Sequence, residues 1–286
     1  MDHRNESTET SWSYTAHTTM TLPRGCELGG FSEHASAAVH RLEVPASPGV
    51  LVLCCGEPIT LQPALGGPGS AARLSAFFGG LQVGAQLASH AGNNDCIEMR
   101  LPPSAAYALF GGVVTEAGRD PVNLLDVDPL GIGVLLDQVR AASTWQGRFA
   151  AVDGFLAQKT AASKRCLPPE LGWAWDVLER THGQITIAAL ARNVGWSERH
   201  FVDRFRAFFG VRPKAAARRL RFAHAFGIMA SRPRSDLAAI AAEAGFSDQS
   251  HMTREFCAFA GASPAVLRTA RFDDLPGIPA TVLLDR

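Results

Sequence analysis

Lysine, paired cysteines and long apolar runs are scarce in this sequence, and the last two shortages exclude whole classes of protein. Lysine supplies only three of the 27 basic residues. The six cysteines form no C-x-x-C pair and show no histidine-rich spacing, so we expect neither a disulfide framework nor a metal site. No apolar run approaches the length of a membrane span, and "MDHRNESTETSWS" lacks the apolar core of a signal peptide. We therefore expect a soluble, cytoplasmic protein with no membrane partner and no cofactor.

The formal net charge of zero conceals a strongly basic segment. Residues 1–165 contain 11 basic and 15 acidic residues, whereas residues 180–234 contain 12 basic and only two acidic residues. Most of these basic residues are arginine, which binds phosphates and guanine bases through two parallel hydrogen bonds. The segment therefore indicates a polyanionic partner. A solvated charged face and an arginine-biased codon usage remain open as alternative explanations.

The apolar pattern changes along the chain from strand-like to helix-like. Residues 21–130 carry short apolar runs broken by glycine and proline, such as "VLVLCC" at 50–55, and this favours β-strands. The later residues repeat apolar positions at helical spacing. The predicted fold class is α+β with two domains, the first β-rich and the second all-α. The expected segments are a mobile tail at 1–20, a β-rich domain with a helical tail at 21–162, a linker at 163–170, a helical domain at 171–272 and a C-terminal tail at 273–286.

The helical half contains an internal repeat. Residues 185–213 match a second copy at a shift of 50 positions, and the shift becomes 51 after a serine because the second copy has gained one residue. The paired positions are Leu190 and Ile240, Gly195 and Gly245, Ser197 and Ser247, Phe201 and Met252, Phe205 and Phe256, and Phe208 and Phe259.

Each copy reads as a helix, a glycine turn and a second helix. A glycine at the turn tolerates the positive φ that lets two helices meet at a steep angle. Ser197 and Ser247 stand where a helix N-cap is needed. In the first copy Phe201, Phe205 and Phe208 share one helical face, so we expect them to face the core. This is the helix-turn-helix pattern, found twice in register.

The opposite face of each second helix then carries the candidate base-reading side chains. They are Glu198, Arg199, Val202, Asp203 and Arg206 in the first copy and Gln249, Ser250, Thr253 and Arg254 in the second. Glutamine pairs with adenine, arginine with guanine, and a threonine methyl can contact thymine. Asp203 could accept from cytosine, but a carboxylate near phosphates can equally repel DNA. A solvated helix surface is the alternative for any one of these residues.

A predicted rod-like helix, "RPKAAARRLRFAHAFGIMAS", joins the two copies, with Pro213 in its first turn. The candidate phosphate-binding residues lie on this helix and at the starts of the two reading helices. They are Ser197, Arg212, Lys214, Arg218 and Ser247. Arg219 or Arg221 could instead be a structural partner for Glu243 or Asp248.

The segments "ITIAALARNVGWSERHFVDRFRAFFGVRPKAAARRLRFAHA" and "LAAIAAEAGFSDQSHMTREFCAFAGASPAVLR" resemble the double helix-turn-helix domain of AraC/XylS-type transcriptional regulators. The resemblance covers about 173–271. It implies a single chain that binds double-stranded promoter or operator DNA across two adjacent major grooves and regulates bacterial transcription, with RNA polymerase as a further partner. Two positions depart from the family pattern: Ala216 replaces a common aromatic, and Asp203 weakens the expectation for base reading by the first copy.

The N-terminal half resembles, more loosely, the sensor domains of such regulators, which are often cupin-like β-barrels. That resemblance implies a small-molecule effector or a homodimer. No Ser/His/Asp set or carboxylate pair stands out, so we expect no enzymatic activity, and His34, His40 and His90 lack metal-binding spacing. A domain used only for dimerisation or protein docking, and a domain that carries an activity of its own, remain open as alternatives.

Overall fold

The computed structural model describes residues 3–6, 10–18, 25–45, 49–64, 70–81, 84–112, 120–269 and 278–280. Within these residues the N-terminal half is mainly β-structure and the C-terminal half is helical, as the sequence predicts. The strands are β1 His3–Glu6, β2 Thr10–His17, β3 Glu27–Ala35, β4 Val39–Glu43, β5 Val50–Cys54, β6 Ile59–Pro63, β7 Ala72–Leu74, β8 Ala76–Gly79, β9 Gln86–His90, β10 Asn93–Arg100, β11 Val122–Asn123 and β12 Ile278–Pro279.

The strands form two antiparallel sheets. The first has the order β1-β2-β3-β10-β5-β8-β11, and the second has the order β12-β4-β9-β6-β7. In the first sheet Cys96 of β10 pairs with Cys54 of β5, and in the second Leu42 of β4 pairs with Leu87 of β9. Because β12 pairs with β4, the chain returns from the helical half to the β-domain.

The first sheet has a core on each of its faces, and the side chains of β5 point alternately into the two cores. Leu51 and Leu53 point into a core that includes the helices after the sheet, whereas Val52 and Cys54 point into a second core with Ile59 of the other sheet. Successive side chains of a strand face opposite sides, so one short apolar run supplies both cores. The two sheets therefore enclose an interior space between them.

The helices, in chain order, are α1 Pro103–Phe110, α2 Leu124–Val127, α3 Pro129–Ala141, α4 Trp145–Ala162, α5 Pro169–Arg180, α6 Ile187–Asn193, α7 Glu198–Phe209, α8 Pro213–Ser231, α9 Leu237–Glu243, α10 Gln249–Ala260 and α11 Pro264–Thr269. The first four belong to the N-terminal half, where α3 and α4 pack against the first sheet. No helix in the described part of the chain is long and apolar enough to cross a membrane.

The mobile tail expected over residues 1–20 is a wrong prediction for residues 3–6 and 10–17, which are strands. β2 pairs with β3 over its full length, from Thr10 opposite Ala35 to His17 opposite Leu28. The segment is rich in serine and threonine, yet Trp12 and Tyr14 alternate along it and pack against the core between the sheets. That two-residue period is the strand signal that the polar composition obscured.

The tail expected over residues 273–286 also contains structure, since Ile278–Pro279 is a strand. Ile278 is buried in a core that otherwise consists mainly of α8, α9 and α10 side chains. The same core includes Leu42 of the second sheet and Ala85, which directly precedes β9. Helices α8, α9 and α10 therefore pack directly on the β-domain.

Helix α8 connects two separate cores of the helical half. Its first half contributes Ala216, Ala217 and Leu220 to a core built on α5, α6 and α7. Its second half contributes Phe222 and Ile228, among others, to the core built on α9 and α10. With 19 residues, α8 is about 28 Å long. Arg212 is its N-cap and Pro213 its first residue, as the proline predicts.

Candidate functional site

The first helix-turn-helix unit comprises α6, the turn at 194–197 and α7. Gly195 has φ of 75°, so the turn uses the left-handed conformation for which glycine was predicted. The amide of Trp196 donates to the carbonyl of Ala191 at 2.9 Å, which closes the end of α6. Ser197 is the N-cap of α7 and accepts from the amide of His200 at 3.3 Å. The predicted cap is confirmed for this unit.

The second unit, with α9, the turn at 244–248 and α10, repeats the same geometry. Gly245 has φ of 79°, and the amide of Phe246 donates to the carbonyl of Ala241 at 2.9 Å. The preceding helices are also capped equivalently, by Thr186 for α6 and Asp236 for α9. The two turns therefore share their hydrogen bonds as well as their sequence.

The predicted N-cap of α10 is wrong by one residue. Asp248, not Ser247, caps the helix by accepting from the amide of His251 at 2.6 Å. Ser247 instead donates to Asp248 and contacts the His251 ring. The residue gained by the second copy precedes the helix, so the structural equivalent of Ser197 is Asp248. This bond holds the pKa of the Asp248 carboxyl below its usual value.

The buried faces of α7 and α10 are anchored by aromatic side chains. Phe201, Phe205 and Phe256 are fully buried. Phe208 packs against the core of the first unit as predicted, and the neighbouring Phe209 is also buried in it. Phe208 is only partly buried and meets the ring of Tyr107 in α1, with ring centroids 5.2 Å apart.

The predicted base-reading residues lie together on the opposite faces of these two helices. On α7 Glu198, Arg199, Asp203 and Arg206 are exposed, and Val202 is partly buried. On α10 Gln249, Ser250 and Arg254 are exposed, and Thr253 is partly buried. The Thr253 hydroxyl donates to the carbonyl of Gln249 at 2.9 Å, within the helix itself. Each helix thus presents a largely exposed polar face, which lies outside the cores formed by the described residues.

The predicted phosphate-binding residues differ in their surroundings. Arg212 and Lys214 are exposed at the start of α8, and Ser197 and Ser247 are exposed at the turns. Arg218 instead donates from Nε to both carboxylate oxygens of Glu255, at 3.1 and 2.9 Å. Glu255 is a buried residue of α10, so this ion pair joins α8 to the second reading helix.

The suggested partners of Arg219 and Arg221 are also wrong. Arg219 donates to the carbonyl of Leu81 in the β-domain at 3.1 Å, and Arg221 donates to the carbonyl of Gly183 at 2.7 Å. Glu243 pairs instead with Arg232. Both bonds join α8 to a backbone carbonyl of a neighbouring segment, and they therefore hold the helix in place. Burial lowers the pKa of Arg219 to about 10.

A cavity of about 700 Å³ lies between the two sheets and is bounded on one side by α8. Sequence reasoning missed it, because its lining comes from eight strands and from a helix far along the chain. Aromatic side chains from β2, β3 and β8 line it together with Glu33, Glu43 and Glu98. From α8 it is lined by Arg219, Ala223, Phe226 and Gly227. No cluster of metal-ligating side chains is found among the residues that the structure describes.

A family model described as "Helix-turn-helix domain" matches residues 190–270. No curated protein sequence matches the chain. Among solved structures, ToxT from Vibrio cholerae O395 is 11% identical, with 85% of this chain and 96% of ToxT covered and a TM-score of 0.47. The C-terminal domain of AraT, a response regulator from Geobacillus stearothermophilus, is 19% identical, with 37% and 88% covered and a TM-score of 0.35. The AraC-like transcriptional activator CuxR is 13% identical, with 77% and 82% covered and a TM-score of 0.33.

The match covers both glycine turns and both exposed helix faces. The two turns share their φ angles and their backbone hydrogen bonds, and each second helix carries a side-chain cap. Residues 190–270 therefore contain two helix-turn-helix units, in agreement with the description of the family model that matches them.

Proposed function

We propose that the chain is a sequence-specific transcription regulator that inserts α7 and α10 into successive major grooves of a promoter or operator. The observation that carries this proposal is the equivalence of the two units. Each has the same turn, the same hydrogen bonds and one uncovered polar helix face, and α8 joins them. A second helix with an uncovered polar face is the element that helix-turn-helix proteins place in the groove.

In this proposal α10 makes the more selective base contacts. Arg254 is exposed and can reach the O6 and N7 atoms of guanine, and Gln249 can pair with adenine. The hydroxyl of Thr253 is already bonded to its own helix, which leaves the methyl group for a thymine. Ser250 completes this surface.

Helix α7 carries a more mixed surface. Arg199 and Arg206 can bind guanine, and Val202 can contact a thymine methyl. Glu198 and Asp203 can accept only from the amine groups of cytosine or adenine, and elsewhere they oppose the approach of phosphate. We therefore expect the half of the site that faces α7 to tolerate more sequence variation than the half that faces α10.

Phosphate contacts supply affinity without selectivity. Arg212 and Lys214 suit this role, since both are exposed at one end of α8. Ser197 and Ser247 lie at the starts of the reading helices, where backbone amides favour an anion. Arg218 is the weaker candidate, because Glu255 already compensates its charge.

The test begins with selection of DNA fragments bound by the full chain, followed by binding measurements on the selected fragment at several salt concentrations. Arg254→Ala is expected to cost about 1 to 3 kcal/mol and to abolish preference at one base pair. Lys214→Ala should weaken binding to all sequences alike. It should also reduce the slope of log binding constant against log salt concentration by about one.

Arg73→Ala is the matched control, because Arg73 is an exposed arginine of β7 paired with Glu57, far along the chain from the reading helices. This variant should bind the selected DNA as the wild type does. The proposal fails if no fragment is enriched, or if the wild type shows no sequence preference at any salt concentration.

We further propose that the N-terminal domain binds a small-molecule effector in the cavity between its sheets. The cavity is of the size that holds small ligands, and it combines apolar walls with a few polar groups. A ligand that binds there should raise the thermal unfolding temperature of the full chain. If DNA binding is observed but no compound of a broad metabolite set shifts that temperature, the domain serves only for dimerisation or docking.

A homodimer is also proposed, with α3 as the contact surface. Leu130 and Val134 lie one turn apart on this helix, and their residues are 82% and 57% exposed. Two apolar side chains on one exposed helix face are typical of a protein contact. Sedimentation of the full chain and of a Leu130→Glu, Val134→Glu variant checks this, because only the wild type should dimerise. Equal sedimentation of the two proteins contradicts it.

A further inference from the structure

We infer that the cavity binds a small organic cation with an apolar or aromatic body, through the carboxylates of Glu43 and Glu98 and the surrounding aromatic rings. This inference rests on the effector site proposed above and assigns the chemical class of its ligand. The observation that carries it concerns bonding partners. Glu43 and Glu98 have no strong partner among the described residues, whereas the other charged groups that line the same cavity are already paired or hydrogen-bonded.

Among the described carboxylates that line the cavity, Glu33 has strong partners on both oxygens. Its Oε1 accepts from Arg41 and its Oε2 lies 3.0 Å from Nε2 of His90. The two basic side chains nearest to it are therefore already engaged. Glu33 is fully buried, and this network satisfies it without any ligand.

Glu43 and Glu98 have no such partners among the described residues. Glu43 ends β4 and Glu98 lies near the end of β10, so they reach the cavity from opposite sheets. Glu43 is exposed by its accessible surface, and it lines the cavity, where protein atoms crowd around its carboxylate. Burial raises the pKa of Glu43 to about 7, and the neighbouring charge of Glu98 adds to the shift. Burial likewise raises the pKa of Glu98.

A bound cation would supply the positively charged partner that these two carboxylates lack among the described residues. Removal from water destabilises the ionised form, and a positive charge within a few ångströms restores it. An anionic ligand would meet two further negative charges instead. Arg41 is engaged by Glu33, Arg100 pairs with Glu27 at 3.4 Å, and Arg219 donates to the carbonyl of Leu81.

The other walls of the cavity fit the body of such a ligand. Aromatic rings from the first sheet and from α8 line it, namely Trp12, Tyr14, Phe31, Phe77 and Phe226. The face of an aromatic ring attracts a cation, and the same rings bury apolar surface. Carboxylates among several aromatic rings are a typical arrangement for organic ammonium groups.

The position of α8 links this site to the DNA-binding domain. Ala223, Phe226 and Gly227 form one wall of the cavity, and α8 contributes to the cores of both helix-turn-helix units. A ligand in the cavity therefore touches the helix that joins the two reading helices. A change in DNA affinity follows if the ligand binds one arrangement of α8 more tightly than another.

Three probes that share one body and differ in charge test the inference: 2-phenylethylammonium, 2-phenylethanol and phenylacetate. Each is titrated calorimetrically into the full chain at pH 8. We expect the ammonium probe to bind at least about tenfold more tightly than the alcohol, and phenylacetate to bind most weakly. Phenylacetate binding most tightly, or no detectable binding of the ammonium probe, would overturn the inference.

Variants then locate the effect. Glu43→Gln with Glu98→Gln should reduce the preference for the ammonium probe to about threefold or less. Glu57→Gln is the matched control, because Glu57 is an exposed carboxylate whose partner is Arg73. An unchanged preference in the double variant refutes the assignment. Each Gln replaces a carboxylate that burial already disfavours, so the variant is expected to fold.

The pH dependence gives a second test. In the free protein Glu43 titrates near pH 7, and a bound cation lowers its pKa, so affinity for the ammonium probe should rise between pH 6 and about 8 and then level off. The groups facing Glu43 are Glu33 and Arg41, Glu98 of the opposite sheet, His90 of β9 and Arg219 of α8. Glu43→Gln should flatten the rise, whereas His90→Gln should leave it. Selected DNA still bound in the absence of cation binding would refute this inference alone and leave the proposed regulator intact.

Discussion

The two glycine turns offer a matched pair of substitutions with different expected costs. Gly195 and Gly245 occupy equivalent positions with φ of 75° and 79°. A Cβ on Gly195 would meet no atom within 4 Å, so Gly195→Ala adds only the strain of positive φ, about 1 to 2 kcal/mol. A Cβ on Gly245 would lie 2.7 Å from side-chain carbons of Gln184, which must move.

Moving Gln184 has a calculable consequence, because its Nε2 donates to the carbonyl of Glu243 at 3.3 Å. Loss of that bond adds about 0.5 to 1.5 kcal/mol. Gly245→Ala should therefore destabilise the protein by about 1.5 to 3.5 kcal/mol, more than Gly195→Ala does.

Urea unfolding followed by circular dichroism at 222 nm measures both costs in the full chain. Repeating both substitutions in a Gln184→Ala variant separates backbone strain from the clash with the Gln184 side chain. In that variant the two glycine substitutions should cost the same within about 0.5 kcal/mol. The reasoning is refuted if Gly195→Ala leaves the midpoint unchanged, because no left-handed turn would then be required. It is equally refuted if the excess cost at Gly245 persists without the Gln184 side chain.

The remaining predictions concern the second unit. Asp248→Ala should lower stability more than Ser247→Ala, because Asp248 makes the cap bond. Since the folded-state pKa of Asp248 is depressed, its contribution to stability is present above the unfolded-state pKa and is lost as pH falls through the folded-state pKa. The difference in stability between the wild type and Asp248→Asn should therefore disappear at low pH. A difference that does not change with pH contradicts this. Arg218→Ala and Glu255→Ala should show a coupling of about 0.5 to 1 kcal/mol in a double-mutant cycle of thermal stability, and additive costs would exclude the ion pair.

The local features of the helical half were predictable from the sequence because they depend on nearby residues. Glycine at a positive φ and phenylalanine at helical spacing are requirements of a single turn or a single helix. The cap of α10 shows the limit of this reasoning. Sequence comparison paired Ser247 with Ser197, since both are serines, whereas the helix start pairs Asp248 with Ser197. Either residue type can cap a helix, so only the backbone path decides between them.

Features that join distant parts of the chain could not be read from the sequence. The cavity brings Trp12 of β2 to the same space as Phe226 of α8, and no local pattern relates those two positions. Glu255 looks like any polar residue on the sequence of α10, but it is buried against Arg218, 37 positions earlier. The strand at Thr10–His17 was missed for a related reason, since its partner β3 stabilises a segment whose composition is polar.

The contacts of α8 restrict how a ligand in the cavity can act on DNA binding. Arg221 ties the helix to the carbonyl of Gly183 beside the first unit, and Arg218 ties it to Glu255 in the second. The cores of both units also include α8 side chains, so we expect the two reading helices and α8 to move as one body. A cation bound beside Phe226 is then expected to move this body relative to the β-domain rather than to alter the distance between α7 and α10. Chemical footprints on selected DNA should accordingly keep the same spacing between the two protected grooves with and without the ammonium probe, while the affinity changes. A ligand-dependent change in that spacing would show that α8 bends, and the two units would have to be treated as separately adjustable.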